Sequence, residues 1–240
     1  MRLTTCRHLY LVLLLLALFP ATSRAIPAIT CHCFTERAYD PARPSGADPY
    51  LLATTQNSFL AAAFTVEKKT IVLKKQAGAD ADDLWIAYWL AAKTGRNVEK
   101  LLQERKGKGT WRQVVASLAI VDNTPGARVA AAFKKNAPDE ELARAVVDEL
   151  LLRFRFHGET ELSQLQQAGA SHQEKILAGL IAAKSRQPAT RIYRQVKEGK
   201  ASWGELLQRA QIPASEIQAV ITALVTADNS SAGKRSSPPF

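Results

Sequence analysis

The tetrapeptide Gln76-Ala77-Gly78-Ala79 recurs 91 residues later as Gln167-Ala168-Gly169-Ala170. At the same spacing Asp48 meets Asp139, Leu51 meets Leu142, Leu60 meets Leu151, and Ala91-Ala92-Lys93 meets Ala182-Ala183-Lys184. One inserted residue moves the spacing to 92, where Gly107-Lys108 and Thr110-Trp111 meet Gly199-Lys200 and Ser202-Trp203. A chain that repeats its apolar positions and its glycine stops in one register reads as one module used twice. Two copies are too few for an open solenoid, which needs about three stacked units to bury a continuous core. The expectation is two bundle-like halves packed on each other, or a single pseudo-symmetric body.

Local punctuation divides the first copy into short helices. Asp48 is placed to cap a helix with Pro49 at its first position, where the missing N–H costs nothing. This helix should run to about Phe64. Thr65 caps a second helix, which Gly78 ends in the left-handed conformation. Asp82 and Asp83 fall in the first turn of a third, where the helix dipole favours acid. Its apolar positions Leu84, Trp85, Tyr88, Trp89 and Ala92 share one face. Gly95 stops it, and Asn97 caps a fourth helix that ends at Gly107. Thr110 and Gln113 have the spacing of a capping box, repeated by Ser202 and Glu205, and start a fifth. A sixth runs from Ala127 to about Lys135. No stretch alternates at period two over a useful length. The class is therefore all-α, a tandem duplication with five to six short helices per copy and no sheet.

The first 25 residues carry Arg2 and Arg7, an apolar run from Leu9 to Phe19, and Ser23-Arg24-Ala25. That is the order of a secretory signal, with cleavage after Ala25. The run is well short of the ~20 residues a spanning helix needs, and no later stretch is long and apolar enough to cross a bilayer. Loss of Arg2, Arg7 and Arg24 lowers the formal charge from +10 to +7. The expected organisation is a signal peptide at 1–25, an extended cysteine-containing arm at 26–47, modules at 48–137 and 138–227, and a disordered tail at 228–240. The protein is expected to be periplasmic or extracellular.

Cys31-His32-Cys33 in the arm is the sharpest local motif. It reads as a disulfide that pins the arm, as two thiolates and an imidazole suited to zinc or copper, or as a redox or intermolecular thiol pair. A metal would need a fourth ligand, and His157 and His172 are the other histidines of the mature chain. Trp85, Tyr88 and Trp89 could face a ligand or fill the core; their counterparts Ile176, Gly179 and Leu180 are merely apolar. Lys106 and Lys108 could hold an anion beside the helix that starts at Trp111, or form a solvated turn. His157, Glu159 and Glu161 lie close in sequence, yet no catalytic set emerges from them.

The plan of Ala-Ala-Lys helix end, capped short helix, Gly-Lys turn and [Thr/Ser]-Trp resembles uncharacterised exported bacterial proteins with Gly-rich, Trp-led helical repeats. The resemblance covers most of the mature chain as a pattern and implies no activity. The function expected is a non-enzymatic binding or envelope-structural module. Its partner would be another envelope protein or an anionic envelope polymer, since export argues against nucleic acid. No cofactor is expected under this reading. The alternative is metal binding or thiol redox chemistry at the Cys-His-Cys arm, and a third reading is an enzyme with a site built across the two halves, marked by a deep cleft lined by unlike residues of the two copies.

Overall fold

The structure, a computed structural model, describes residues 34–118 and 126–233, the last six of these as backbone only. Among the described residues there are twelve α-helices, a short 3-10 turn (Ala214–Glu216) and no strand, so the chain is all-helical as its pattern predicts. The first half holds α1 (Asp48–Ala63), α2 (Lys68–Gln76), α3 (Ala81–Thr94), α4 (Val98–Lys108), α5 (Trp111–Ala116) and α6 (Ala127–Lys134). The second holds α7 (Asp139–Arg153), α8 (Glu159–Gln167), α9 (His172–Ser185), α10 (Ala189–Lys197), α11 (Trp203–Arg209) and α12 (Ile217–Gly233). The starts of α1 to α4 and of α7 to α10 lie 91 residues apart, and those of α5 and α11 lie 92 apart.

Many of the sequence signals act where they stand. Gly78 and Gly95 adopt φ values of 88° and 69° and close α2 and α3. Asp80 accepts from the N–H groups of Asp82 and Asp83, and Asn97 accepts from Lys100 N–H. Other signals act differently. Thr65 ends α1 with φ 54° instead of starting α2. α4 continues to Lys108 and is closed by Gly109, because Gly107 keeps helical geometry. Thr110 caps α5, but Gln113 accepts from the Thr110 hydroxyl and does not reach the backbone. The complete capping box belongs to Ser171 and Glu174 at the start of α9.

Packing crosses between the halves. α1 lies against α9 and α12, and α7 lies against α3 and α6. The first helix of each half therefore rests on the third helix of the other, so one core serves both. Phe59 of α1 meets Trp85 of α3 at 6.0 Å, and Phe154 and Phe156 beyond α7 at 6.2 and 4.8 Å between ring centres. α1 is enclosed on all sides. Its middle, Thr54 to Ser58, is buried although every residue is polar. Short hydroxyl side chains let neighbouring helices approach there, and Gln56 accepts from Gln173 of α9 at 2.9 Å. Of the arm, Phe34 packs edge-on against Tyr50, and the Tyr39 ring covers Gly204, where a Cβ would lie 3.1 Å from it.

Candidate functional site

α7 builds the floor of a cleft of about 740 Å³. Leu142, Val146, Val147, Leu150 and Leu151 point into the core. Glu140, Glu141, Arg144, Ala145 and Asp148 recur at helical spacing on the cleft side. One wall is α6, with Arg128 and Lys135. The other is the Gly169-Ala170-Ser171 turn with the first turn of α9, which brings His172 and Lys175. Asp82, at the start of α3, completes the rim, so both halves contribute.

Lys175 is fully enclosed, with its Nζ 2.5 Å from Asp148 Oδ1. The second oxygen of Asp148 accepts from the Gln166 amide. Burial pushes the Lys175 ammonium below its usual range, the Asp148 charge opposes that, and Arg144 and Arg128 add to it. Burial also pushes the Asp82 carboxyl up to about 6, helped by the charges of Asp80, Glu140 and Asp83 and opposed by Arg144. Burial pushes His172 down to about 4, with Lys175 and Arg144 adding to the effect. His172 Nδ1 lies 3.7 Å from Asp82 Oδ1. A neutral imidazole at that distance is a polar neighbour and does not neutralise the carboxylate. Perturbed ionisable groups gathered in a cleft are the usual mark of a functional site.

The residues singled out from sequence lie elsewhere. Trp85, Tyr88 and Trp89 are buried in the core, where Phe64 stacks on Tyr88 and Phe133 meets Trp89. Lys106 and Lys108 are exposed at the end of α4, Lys108 donating to the Ser117 hydroxyl at 2.6 Å. Cys31, His32 and Cys33 lie outside the described residues. His157 is enclosed between Glu161, 3.3 Å from Nδ1, and the Lys175 carbonyl, 2.8 Å from Nε2, so both ring nitrogens are engaged. Glu159 pairs with Arg128, and Glu161 accepts from Ala189 N–H at the start of α10. Among the described residues no group of three or more His, Cys, Asp or Glu side chains is arranged to hold a metal ion, and no helix is long and apolar enough to cross a membrane.

Sequence reading missed the cleft. A signal was present in Lys175, a lysine beside Ile176 and Leu177 among the buried positions of α9. No protein-family model, curated protein or solved structure matches the chain.

Proposed function

We propose that the protein is a non-enzymatic binding protein, exported after loss of residues 1–25, that holds a small polar molecule in the cleft along α7. The chain is read as two copies of one module, interlocked about a pseudo-twofold axis. In support, α1 rests on α9 as α7 rests on α3.

The observation that carries the binding reading is what stands at the corresponding positions of the other copy. Lys175, Asp148 and His172 correspond to Leu84, Asn57 and Ala81. Glu140, Glu141 and Arg144 correspond to Pro49, Tyr50 and Ala53, and Asp82 to Gln173. In the 92-residue register Arg128 and Lys135 correspond to Val220 and Ala227. Every ionisable group of the cleft is thus replaced by an uncharged one where the module needs only to fold. A buried ion pair is weak evidence for stability, since matched apolar residues often serve as well. The cleft charges are better explained by a ligand.

The test is a screen of polar small molecules followed through the His172 ring resonances by NMR. It is repeated on Ala145→Trp, which fills the floor, once circular dichroism shows that variant folded. Ligands should shift His172 in the native protein and not in the variant. A screen in which nothing moves His172, or in which Ala145→Trp binds equally well, rejects the reading; turnover of a bound molecule rejects its non-enzymatic part.

A second reading, docking on an anionic envelope polymer, is favoured by the distribution of charge. Residues 48–137 hold 14 Lys and Arg against 8 Asp and Glu, whereas residues 138–227 hold 11 of each. Leu73 is the exposed large apolar side chain of this basic half, at 52% exposure. Binding to an anionic polysaccharide that weakens with salt and is lost in Lys69→Glu/Lys100→Glu is the expected result, and indifference to that double change rejects it.

A further inference from the structure

The cleft is electrically polar from end to end. Glu140 and Asp148 lie eight positions apart on α7, about 12 Å along the helix axis. At the Glu140 end the groups around Asp82 are Asp80, Asp83, which pairs with Arg105, and Glu140, which pairs with Arg144, the opposing charge that acts on Asp82. Among the described residues no lysine or arginine pairs with the Asp82 carboxylate, and His172 Nδ1 lies 3.7 Å from it. At the Asp148 end the balance reverses. Lys175 feels Arg144 and Arg128, and the single carboxylate of Asp148 is already engaged by Lys175 and Gln166. Among the described residues the Arg128 guanidinium pairs with Glu159, whose side chain is 70% exposed, while the Arg128 backbone N–H donates to Glu149. Such surface pairs contribute ~0–1 kcal/mol and exchange readily for a ligand.

We propose that the cleft binds a short peptide with free termini, its ammonium against Asp82 and Glu140 and its carboxylate against Arg128. This rests on the reading of the cleft as a ligand site. A single amino acid is too short to join the two ends. An extended chain advances ~3.3–3.6 Å per residue, so about three residues fit. A polyamine would place a cation among Arg128, Arg144 and Lys175, and a dicarboxylate would place an anion beside Asp82. The Gly169-Ala170-Ser171 wall offers backbone and small side chains, which suits a ligand whose middle is also backbone.

An ammonium binds the ionised Asp82, so protonation of that carboxyl competes with the peptide. The groups facing Asp82 are Asp80 at the cap of α3 and Asp83 on it, Glu140 and Arg144 on α7, and His172 on α9, which itself faces Lys175. His172, held down to about 4, stays neutral while Asp82 titrates near 6 and brings no rival cation into that range. Affinity should fall up to tenfold per pH unit below about 6.

Calorimetric titration of the purified full chain with trialanine tests this. The expected result is binding at pH 7, weakened at least tenfold by N-acetylation of the peptide or by Asp82→Asn, and to a similar degree by C-terminal amidation or Arg128→Gln. Between pH 7 and 5 the native affinity should drop about tenfold and that of Asp82→Asn should hold. Equal affinity for N-acetylated trialanine, or a pH dependence unchanged in Asp82→Asn, overturns the proposal. If trialanine leaves the His172 resonances unmoved while another molecule of the screen shifts them, the peptide assignment falls and the ligand site stands. If nothing shifts them, both fall.

Discussion

The carboxylate of Asp48, the first residue of α1, accepts from the backbone N–H of Trp203, 155 positions away, at 3.2 Å, and from that of Gly204 at 2.9 Å. Asp139, the first residue of α7, does the same for Trp111 at 3.1 Å. Each acid accepts from free N–H groups at the start of a helix in the other half of the chain and leaves its own helix uncapped by its side chain. Replacing either by alanine should cost roughly 1 kcal/mol, the usual effect of a lost N-cap. Asn, with one acceptor oxygen, should recover about half at position 48. The two losses should add, since the sites share no partner. Urea unfolding of Asp48→Ala, Asp139→Ala and the double variant checks this; a single change without effect removes the cross-cap as a stabilising contact.

Asp82 and His172 impose opposite pH dependences on stability. Between 3.8 and about 6 the native state holds a proton on Asp82 that the unfolded chain releases, so acidification favours folding. Between 6.5 and about 4 the unfolded chain protonates His172 while the native state does not, so acidification opposes folding. In the native protein the two effects largely cancel across this window. In Asp82→Asn the histidine acts alone, and stability should fall from pH 6.5 to 4 more steeply than in the native protein, by roughly 1 kcal/mol after solvent screening. In His172→Gln the slope should shift by a similar amount in the opposite direction. Thermal midpoints at half-unit steps of pH would show the two curves diverging from the native one to opposite sides; parallel curves contradict the geometry.

The Lys175–Asp148 pair allows a test that uses the protein's own alternative. Removing one partner strands a buried charge, and Lys175→Leu or Asp148→Asn alone should cost about 3–5 kcal/mol. Changing both at once installs the residues that stand 91 positions earlier, Leu84 and Asn57, and should restore most of the loss. The double variant should therefore denature near the native urea midpoint while its cleft ligand no longer binds. If it is as unstable as the worse single variant, the pair is needed for folding and the charges have no call on a ligand.

What could be read from sequence was whatever acts through neighbours in the chain. Gly78, Gly95, Asp80 to Asp83 and Asn97 work within a few residues of themselves, and the helices they bound lie close to where their spacing places them. Asp48 and Asp139 were visible as acids at helix starts, but an acid offers the same signal whether it caps its own helix or one brought beside it by folding. The face of Trp85, Tyr88 and Trp89 was legible as apolar; its burial depends on Phe59 and Phe64 from α1 and its cap, and on Phe133 from α6. The cleft was hidden for the same reason. Asp82, Arg128, Asp148 and His172 share no local spacing, and only the crossing of α7 beneath α3 and α6 gathers them.

Gly179 stands where the first half has Tyr88, and the space is taken by Phe156 and His157. A Cβ at Gly179 would lie 3.0 Å from the Phe156 ring and 3.1 Å from the His157 ring. Neither ring is free to withdraw: Phe156 packs on Phe59 at 4.8 Å, and His157 is held between Glu161 and the Lys175 carbonyl. Mid-helix glycine to alanine ordinarily gains ~1 kcal/mol of helix propensity, whereas overpacking a fixed core costs ~1–3 kcal/mol. Gly179→Ala should therefore destabilise the protein by roughly 1 kcal/mol on balance. On a His157→Ala background one of the two contacts is relieved while Phe156 remains, and the same change should cost less, a coupling of about 0.5 kcal/mol or more in a double-mutant cycle. Gly179→Ala that stabilises the otherwise native chain would show that the rings can yield and that Gly179 is not required by the packing.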